Sequence, residues 1–114
     1  MLVTKKTLQK NSPDFIKQVA AASAMECFGV VAMARKNESE LIVEMLSSKN
    51  FIRGVKVDFG RDGRAQIDLY VIIVYGVKIM TVAENLIDTV KYNVEKQTDI
   101  KVKKINVYVQ SIRI

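Results

Sequence analysis

The chain of 114 residues contains no histidine, one cysteine, one proline and five glycines. Each shortage closes off a class of chemistry or of structure. Without histidine there is no imidazole to serve as general base, to activate a nucleophile or to bind zinc. A histidine-based triad and a histidine-containing zinc site are therefore excluded. The lone Cys27 can form neither an intramolecular disulfide nor a thiolate cluster, so the chain makes no use of an oxidising compartment. It lies in an apolar helical stretch and reads as a small buried hydrophobe rather than a nucleophile. Neither G-x-x-x-x-G-K-S/T nor G-x-G-x-x-G occurs, so no loop of that kind is available to cradle a phosphate. The low proline and glycine content, with no low-complexity segment, leaves nothing that reads as disordered. The longest apolar run, Leu69-Tyr70-Val71-Ile72-Ile73-Val74-Tyr75, has seven residues, far short of the roughly 20 of a membrane-spanning helix. The opening Met1-Leu2-Val3-Thr4-Lys5-Lys6 has no apolar run behind its lysines, so no signal peptide is expected. A soluble, cytoplasmic protein is the expectation.

What is present is ordinary for a globular chain. Half the residues are hydrophobic and a quarter charged, which suits one domain over residues 1–114 with a real core. A chain of this size buries about 65% of the surface it exposes when unfolded. The net charge is +6 and the isoelectric point about 9.5, which would suit a nucleic acid, an anionic lipid surface or an acidic partner. The cations, however, come in ones and twos from Lys5 to Lys104, as on a solvated surface rather than a dedicated polyanion site.

Periodicity organises the chain. Residues 2–9 alternate weakly, as a first strand would. Ser12-Pro13-Asp14 then supplies an N-cap, a first-turn proline and a first-turn acid. Ile16, Val19, Ala20, Ser23 and Cys27 follow on one helical face, with Gly29 expected to end the helix. Val30-Val31-Ala32-Met33-Ala34 reads as a short buried strand. Asn37, with Glu40 as capping-box partner, starts a second helical pattern through Leu41, Ile42, Met45 and Leu46. Val55, Val57 and Phe59 alternate with Lys56 and Asp58. After Gly60-Arg61-Asp62-Gly63-Arg64, a second alternating run carries Ile67, Leu69, Val71, Ile73 and Tyr75. Two period-two runs around an Asp-Gly turn predict a β-hairpin. The second run ends apolar on both faces, which predicts cover on both sides. Ile79, Val82, Ala83, Leu86, Ile87, Val90 and Val94 then define a long helix, with Thr81 and Glu84 matching a capping box. Ile105, Val107 and Val109 mark a last strand. The expected fold is α+β and two-layered, with helices on one side of a mixed sheet in the order β-α-β-α-β-β-α-β.

Three patterns are candidates for chemistry or binding. Asp58 and Asp68 face each other across the predicted hairpin, and paired carboxylates can do acid–base work. The plainer expectation places each on the solvent face beside Lys56 or Arg64. Gly60-Arg61-Asp62-Gly63 matches the G-x-x-G string of KH domains, whose loop clamps a nucleic-acid backbone. There the loop joins two helices, whereas here both neighbours are strands. The string therefore reads as a turn in which Asp62-Gly63 supplies the positive φ angles. Tyr70, Tyr75, Tyr92 and Tyr108 offer aromatic faces, with Tyr70 and Tyr108 on strands.

Four stretches together carry a family resemblance. Phe28-Gly29-Val30-Val31-Ala32-Met33 resembles a helix-to-strand junction of the form x-G-V-x-x-M. Residues 67–79 resemble an aliphatic strand ending in Tyr75-Gly76-Val77 and a short polar step. Val82-Ala83-Glu84-Asn85-Leu86 and Val90-Lys91-Tyr92-Asn93-Val94-Glu95 resemble a long helix, and Val107-Tyr108-Val109-Gln110 a closing V-x-V-Q strand. In this order and spacing they resemble the alkaline shock protein family, also called the envelope stress response family, of Gram-positive bacteria, and within it a short subgroup. The resemblance implies a small cytoplasmic protein without enzymatic activity, linked to cell-envelope homeostasis. It also implies that any membrane tether comes from a partner. It brings no catalytic, cofactor or metal residues.

The leading expectation is thus a non-enzymatic interaction or scaffold protein with protein partners, itself a homo-oligomer. Its candidate surface comprises Tyr75, Gly76, Val77 and Lys78, with Arg61 and Arg64 at the hairpin tip and Tyr70 and Tyr108 on the strands. One alternative is a nucleic-acid-binding module using the basic tip. Another is a regulatory partner of a lipid-metabolism enzyme.

Overall fold

The computed structural model describes residues 12–34 and 54–114. The strand expected over 2–9 and the helix expected from Asn37 lie outside the described residues. The remaining elements are α1 (Pro13–Met25), β1 (Val30–Met33), β2 (Val55–Phe59), β3 (Ala65–Val74), α2 (Ile79–Thr98) and β4 (Val102–Arg113). The class is α+β, with both helices on one face of a mixed four-stranded sheet.

β3 is the spine of the sheet. One edge pairs in parallel with β4 along its whole length, from Ala65 opposite Val102 to Val74 opposite Arg113. The other edge is shared. β2 pairs antiparallel with residues 65–69, and β1 antiparallel with residues 71–73. The two short strands meet at Tyr70, whose N–H donates to Gly54 O (2.8 Å) and whose carbonyl accepts from Ala34 N–H (2.8 Å). Gly54 has φ +79°, and a Cβ there would lie 2.9 Å from Ala34 O, from Met33 Cβ and from Tyr70 O. Only glycine fits this seam. The parallel pairing of β3 with β4 requires a crossover, and α2 supplies it.

Alternation assigns the two faces of β3. Ala65, Ile67, Leu69, Val71 and Ile73 are fully buried and form one core with Ile16, Val19, Ala20 and Ala24 of α1 and with Val82, Leu86, Val90 and Val94 of α2. Each large aliphatic among them contributes roughly 1.5–3 kcal/mol by burial. The opposite face carries polar and aromatic pairs. Asp68 lies opposite Asn106 and accepts its side-chain N–H (2.9 Å), and Tyr70 lies opposite Tyr108.

Local chemistry sets the helix ends. Ser12 Oγ accepts Phe15 N–H (3.2 Å) and Pro13 opens α1, as its sequence predicts. Ser23, buried at the helix–helix contact, is satisfied by Asn93 (2.8 Å). At the far end of α2, Thr98 Oγ donates to Val94 O (2.6 Å) and accepts from Ile100 N–H (3.2 Å), and the Glu95 carboxylate accepts Val102 N–H (2.9 Å). Asp99 takes the left-handed conformation, φ 63°, that turns the chain into β4.

Several expectations are corrected. α1 ends at Met25 rather than directly before Gly29. Cys27 sits in the following turn, half-buried, with its thiol 3.5 Å from Ser23 O. The Thr81/Glu84 capping box does not form, because α2 starts at Ile79 after Lys78, which provides no side-chain cap. Only Gly63, φ +80°, is left-handed in the hairpin turn, because Arg61 and Asp62, both at negative φ, already bring Gly63 N–H onto Gly60 O (3.1 Å), and the left-handed residue after them returns the chain into β3. β3 stops at Val74, so Tyr75 belongs to a turn and not to the strand's inward face. β4 begins at Val102, earlier than its clearest alternation. Asp58 and Asp68 are not opposite each other. The register sets Asp58 against Gln66 and Asp68 against Lys56. Asp58 lies 4.0 Å from Lys56 Nζ, and the largely buried Asp68 is held by Asn106.

Candidate interaction surface

Three chain segments converge where β3 ends. Val74 N–H donates to Gly29 O (2.9 Å), bringing in the turn before β1. Tyr75 N–H donates to Arg113 O (2.7 Å), bringing in the end of β4. Gly76, φ +96° with open space around it, then reverses the chain into α2, whose first turn closes with Val82 N–H on Lys78 O (3.1 Å). A Cβ on Gly29, φ +92°, would lie 2.8 Å from Val82 Cγ2 and 3.6 Å from Val77 Cγ2. The turn before β1 is thereby pressed onto the start of α2.

This packing uses up Val77 and Val82 and leaves their neighbours outside. Val77 is half-buried against the core and Val82 is part of it. Phe28, Tyr75 and Met80 are 76%, 69% and 71% exposed. Met25 and Ile79 add partly exposed apolar surface, and Ile112 does so from β4. Of these, Phe28 lines a groove of about 370 Å³ with Gly76, Val77, Thr81 and Val82, and Lys78 is the charged residue on its wall. Tyr75, Gly76, Val77 and Lys78 are thus brought together as a surface. Val77 completes the core, whereas Tyr75 does not.

The charge of this end is mixed. Residues 27–34, 74–83 and 110–114 contain no aspartate or glutamate and two cations, Lys78 and Arg113. Two exposed carboxylates directly adjoin these segments, Glu26 just before Cys27 and Glu84 just after Ala83.

Arg61 and Arg64 lie elsewhere, at the opposite end of β3. Arg64 is engaged within its own turn. Its backbone N–H (3.1 Å) and Nε (2.7 Å) both reach the Asp62 carboxylate. These bonds from Arg64, the backbone one foremost, hold Asp62 below its ordinary pKa of 3.8, with a lesser contribution from the charge of Lys103. Arg61 is exposed. Tyr70 and Tyr108 join neither end. Their rings stack on each other at mid-sheet, centroids 4.8 Å apart and 12° from parallel, and Tyr70 is buried. Its ring faces a neighbour rather than standing free as a platform for a base. Among the described residues no cluster of three or more His, Cys, Asp or Glu side chains is placed to hold a metal ion. None of their helices is long and apolar enough to cross a membrane.

Phe28 and Met80 were not singled out by sequence periodicity. Their signal was present: both are large apolar residues off the inward stripe, Phe28 beside a glycine and Met80 in a first helical turn. A single exposed hydrophobe is ordinary, whereas several at one end of the molecule mark an interface.

A family model for the alkaline shock protein 23 family, cell envelope-related function, matches residues 2–114 of the chain. Uncharacterized protein YloU of Bacillus subtilis (strain 168) is 40% identical over 105 residues, covering 90% of this chain and 86% of that protein. Uncharacterized protein Spy1614 of Streptococcus pyogenes serotype M6 is 38% identical over 112 residues, covering 97% and 92%. Uncharacterized protein YqhY of Bacillus subtilis (strain 168) is 31% identical over 102 residues, covering 90% and 74%. No solved structure matches the chain.

Proposed function

The chain belongs to the alkaline shock protein 23 family, and on that premise we propose that it is a non-enzymatic interaction protein of the cell envelope, working from the cytoplasmic side by surface contact at the end of β3. The observation that carries the reading is the exposure of Phe28, Tyr75 and Met80, each more than two-thirds exposed, with Phe28 on the wall of a groove whose lining includes Gly76 and Thr81, the sequence neighbours of Tyr75 and Met80. Leaving such a group in water opposes solubility, and patches of this kind mark interfaces. The sequence adds that no imidazole is available for general catalysis. Self-association and protein partners are both expected of a scaffold. Light scattering across a wide concentration range, together with in-cell crosslinking through a photoreactive residue at position 75, tests the reading. It expects concentration-dependent mass or a recovered envelope component. A strict monomer with no crosslink to anything would defeat it.

The basic hairpin tip supports a second reading, nucleic-acid binding. The observation in its favour is the exposed Arg61 beside a turn that also feels the charge of Lys103. It predicts RNA binding that weakens steeply with salt and is lost on combining Arg61→Glu with Arg64→Glu. Unchanged binding in that variant would remove the tip from consideration.

A further inference from the structure

β3 sends its peptide groups to its two sides in turn. The N–H groups of Tyr70 and Val74 go to Gly54 and Gly29, and those of Ala65 and Tyr75 go to Lys101 and Arg113 on the β4 side. Odd-numbered residues of β3 therefore face β4. In a parallel pair, the residue opposite such a donor turns its own N–H and C=O the other way. Ile105, Val107 and Val109 lie opposite Ile67, Leu69 and Val71, so their peptide groups face the outer side of β4. Val102, opposite Ala65, shows the same sense, because its N–H is taken on that side by the Glu95 carboxylate (2.9 Å). Among the described residues, no strand pairs with the outer side of β4 at Ile105, Val107 and Val109. An open strand edge is complementary to another extended backbone.

Symmetry and charge select which backbone. A second β4 running antiparallel meets the first about a two-fold axis. Only an axis at Val107 engages all three open residues, setting Val107 against its equivalent and Ile105 against Val109 of the second copy. An axis at Tyr108 would set Ile105 against Ser111, which lies opposite Ile72 and faces β3. With the axis at Val107, Lys104 meets Gln110 of the second copy, and Tyr108, 43% exposed, meets Asn106. Lys101 nears Arg113 only beyond the irregular registers near the two ends of β4.

The flank of α2 above this edge follows from Glu95 in steps of four: Lys91, Ile87 and Ala83. Glu95, Ile87 and Ala83 are half-buried and Lys91 is exposed. One charge of each sign beside two apolar residues suits its own reverse better than a partner of uniform charge. We infer that two copies of this chain join through the outer edges of β4, antiparallel about Val107, into one continuous sheet with the two α2 helices side by side. This surface is the side of the sheet, distinct from the end of β3.

The test combines sedimentation velocity with amide hydrogen exchange on the purified chain over a wide range of concentration. The expected result is a monomer–dimer equilibrium. The amides of Ile105, Val107 and Val109 should exchange at least about tenfold more slowly as dimer forms, while those of Asn106 and Tyr108, bonded to β3, stay protected throughout. Val107→Lys sets like charges against each other at the axis and should weaken dimerisation about tenfold or more. Far-UV circular dichroism checks that this variant is folded, and the exchange pattern of the parent decides if it is not. A monomer at every concentration would overturn the inference, whether the three amides exchange freely or are already held by residues 2–9 of the same chain. So would a dimer in which these amides do not change, or one weakened by Tyr75→Ser and not by Val107→Lys. If position 75 crosslinks to a protein while the chain stays monomeric, the inference falls and the proposed function stands.

Discussion

The two ends of β3 are built from similar parts and do opposite things with them. Each is a pair of turns flanking the same central strand, and each uses left-handed residues: Gly29 and Gly76 at one end, Gly63 and Asp99 at the other. At the hairpin end the polar groups satisfy one another. Arg64 closes on Asp62, Gly60 N–H reaches Arg64 O (2.9 Å), and Ala65 N–H reaches Lys101 O (2.8 Å). At the other end the backbone is equally well bonded, yet the side chains are not consumed. Phe28, Tyr75 and Met80 stand in water, Phe28 on the wall of a groove. The contrast teaches that closing a turn needs only backbone bonds and a suitable glycine. Large apolar side chains retained on a closed turn therefore require a reason outside local folding.

The substitution with the largest expected effect removes the comparison altogether, by damaging the spine both ends share. Gly54→Ala forces a Cβ against three backbone or near-backbone atoms in a left-handed conformation. It should cost about 3 kcal/mol or more, read as a lowered urea midpoint. A cost below about 1 kcal/mol would mean that β1 and β2 do not meet at Tyr70 as described.

Glycine substitutions at the two ends sharpen the contrast. Gly29→Ala combines left-handed strain with a contact on Val82, a core residue, and should cost about 2 kcal/mol. Gly63→Ala meets open space and should cost only the left-handed strain, about 1 kcal/mol. Equal costs by chemical denaturation would show that the apolar end is no more firmly backed by the core than the hairpin tip.

Smaller still is the stability effect of combining Phe28→Ser, Tyr75→Ser and Met80→Ser. Exposed side chains contribute little to folding, so each change should fall within about 0.5 kcal/mol even though binding is lost. A cooperative loss of stability would place these residues in the core instead.

The smallest effect is electrostatic and concerns the hairpin alone. The Asp62 carboxyl is depressed in the folded state, chiefly by Arg64. A depressed acid contributes stability above its unfolded pKa and loses it as the pH falls through its folded value. Because Asp62 is exposed, the unfolding curve should barely move. Its carboxyl carbon followed by NMR should titrate below 3.8 in the parent and shift upward in Arg64→Ala. An unchanged midpoint would show that the turn is not closed by this pair.

How far the sequence reveals these features follows from their physics. The stripes of α1 and α2 and the alternation of β2 and β3 are periodic, and periodicity reports burial directly. Ser12-Pro13 announced a helix start because capping is a local bond. The false capping box at Thr81 shows the limit of that signal: helix α2 begins where the chain leaves the Gly76 turn, and Lys78 becomes its N-cap without a side-chain bond. Gly54 could not be read as a seam, because its neighbours Met33, Ala34 and Tyr70 are brought to it by pairing between distant segments. The same holds for the site. Tyr75 to Lys78 are contiguous and were visible as an unusual step after an aliphatic strand. Phe28 and Met80 join them only through the fold. Tyr70 and Tyr108 looked like platforms in the sequence but sit opposite each other in the β3–β4 register and occupy each other's faces.

The chain contains no tryptophan, so one introduced tryptophan reports its own surroundings. The decisive measurement is the fluorescence of Tyr75→Trp and, separately, of Arg61→Trp, across a wide range of protein concentration, with and without a cell-envelope extract and with an aqueous quencher. The account predicts a blue-shifted, quencher-protected emission for the probe at position 75 and an unshifted, quenchable one for the probe at position 61. No shift at position 75, or a shift at position 61 instead, would contradict it.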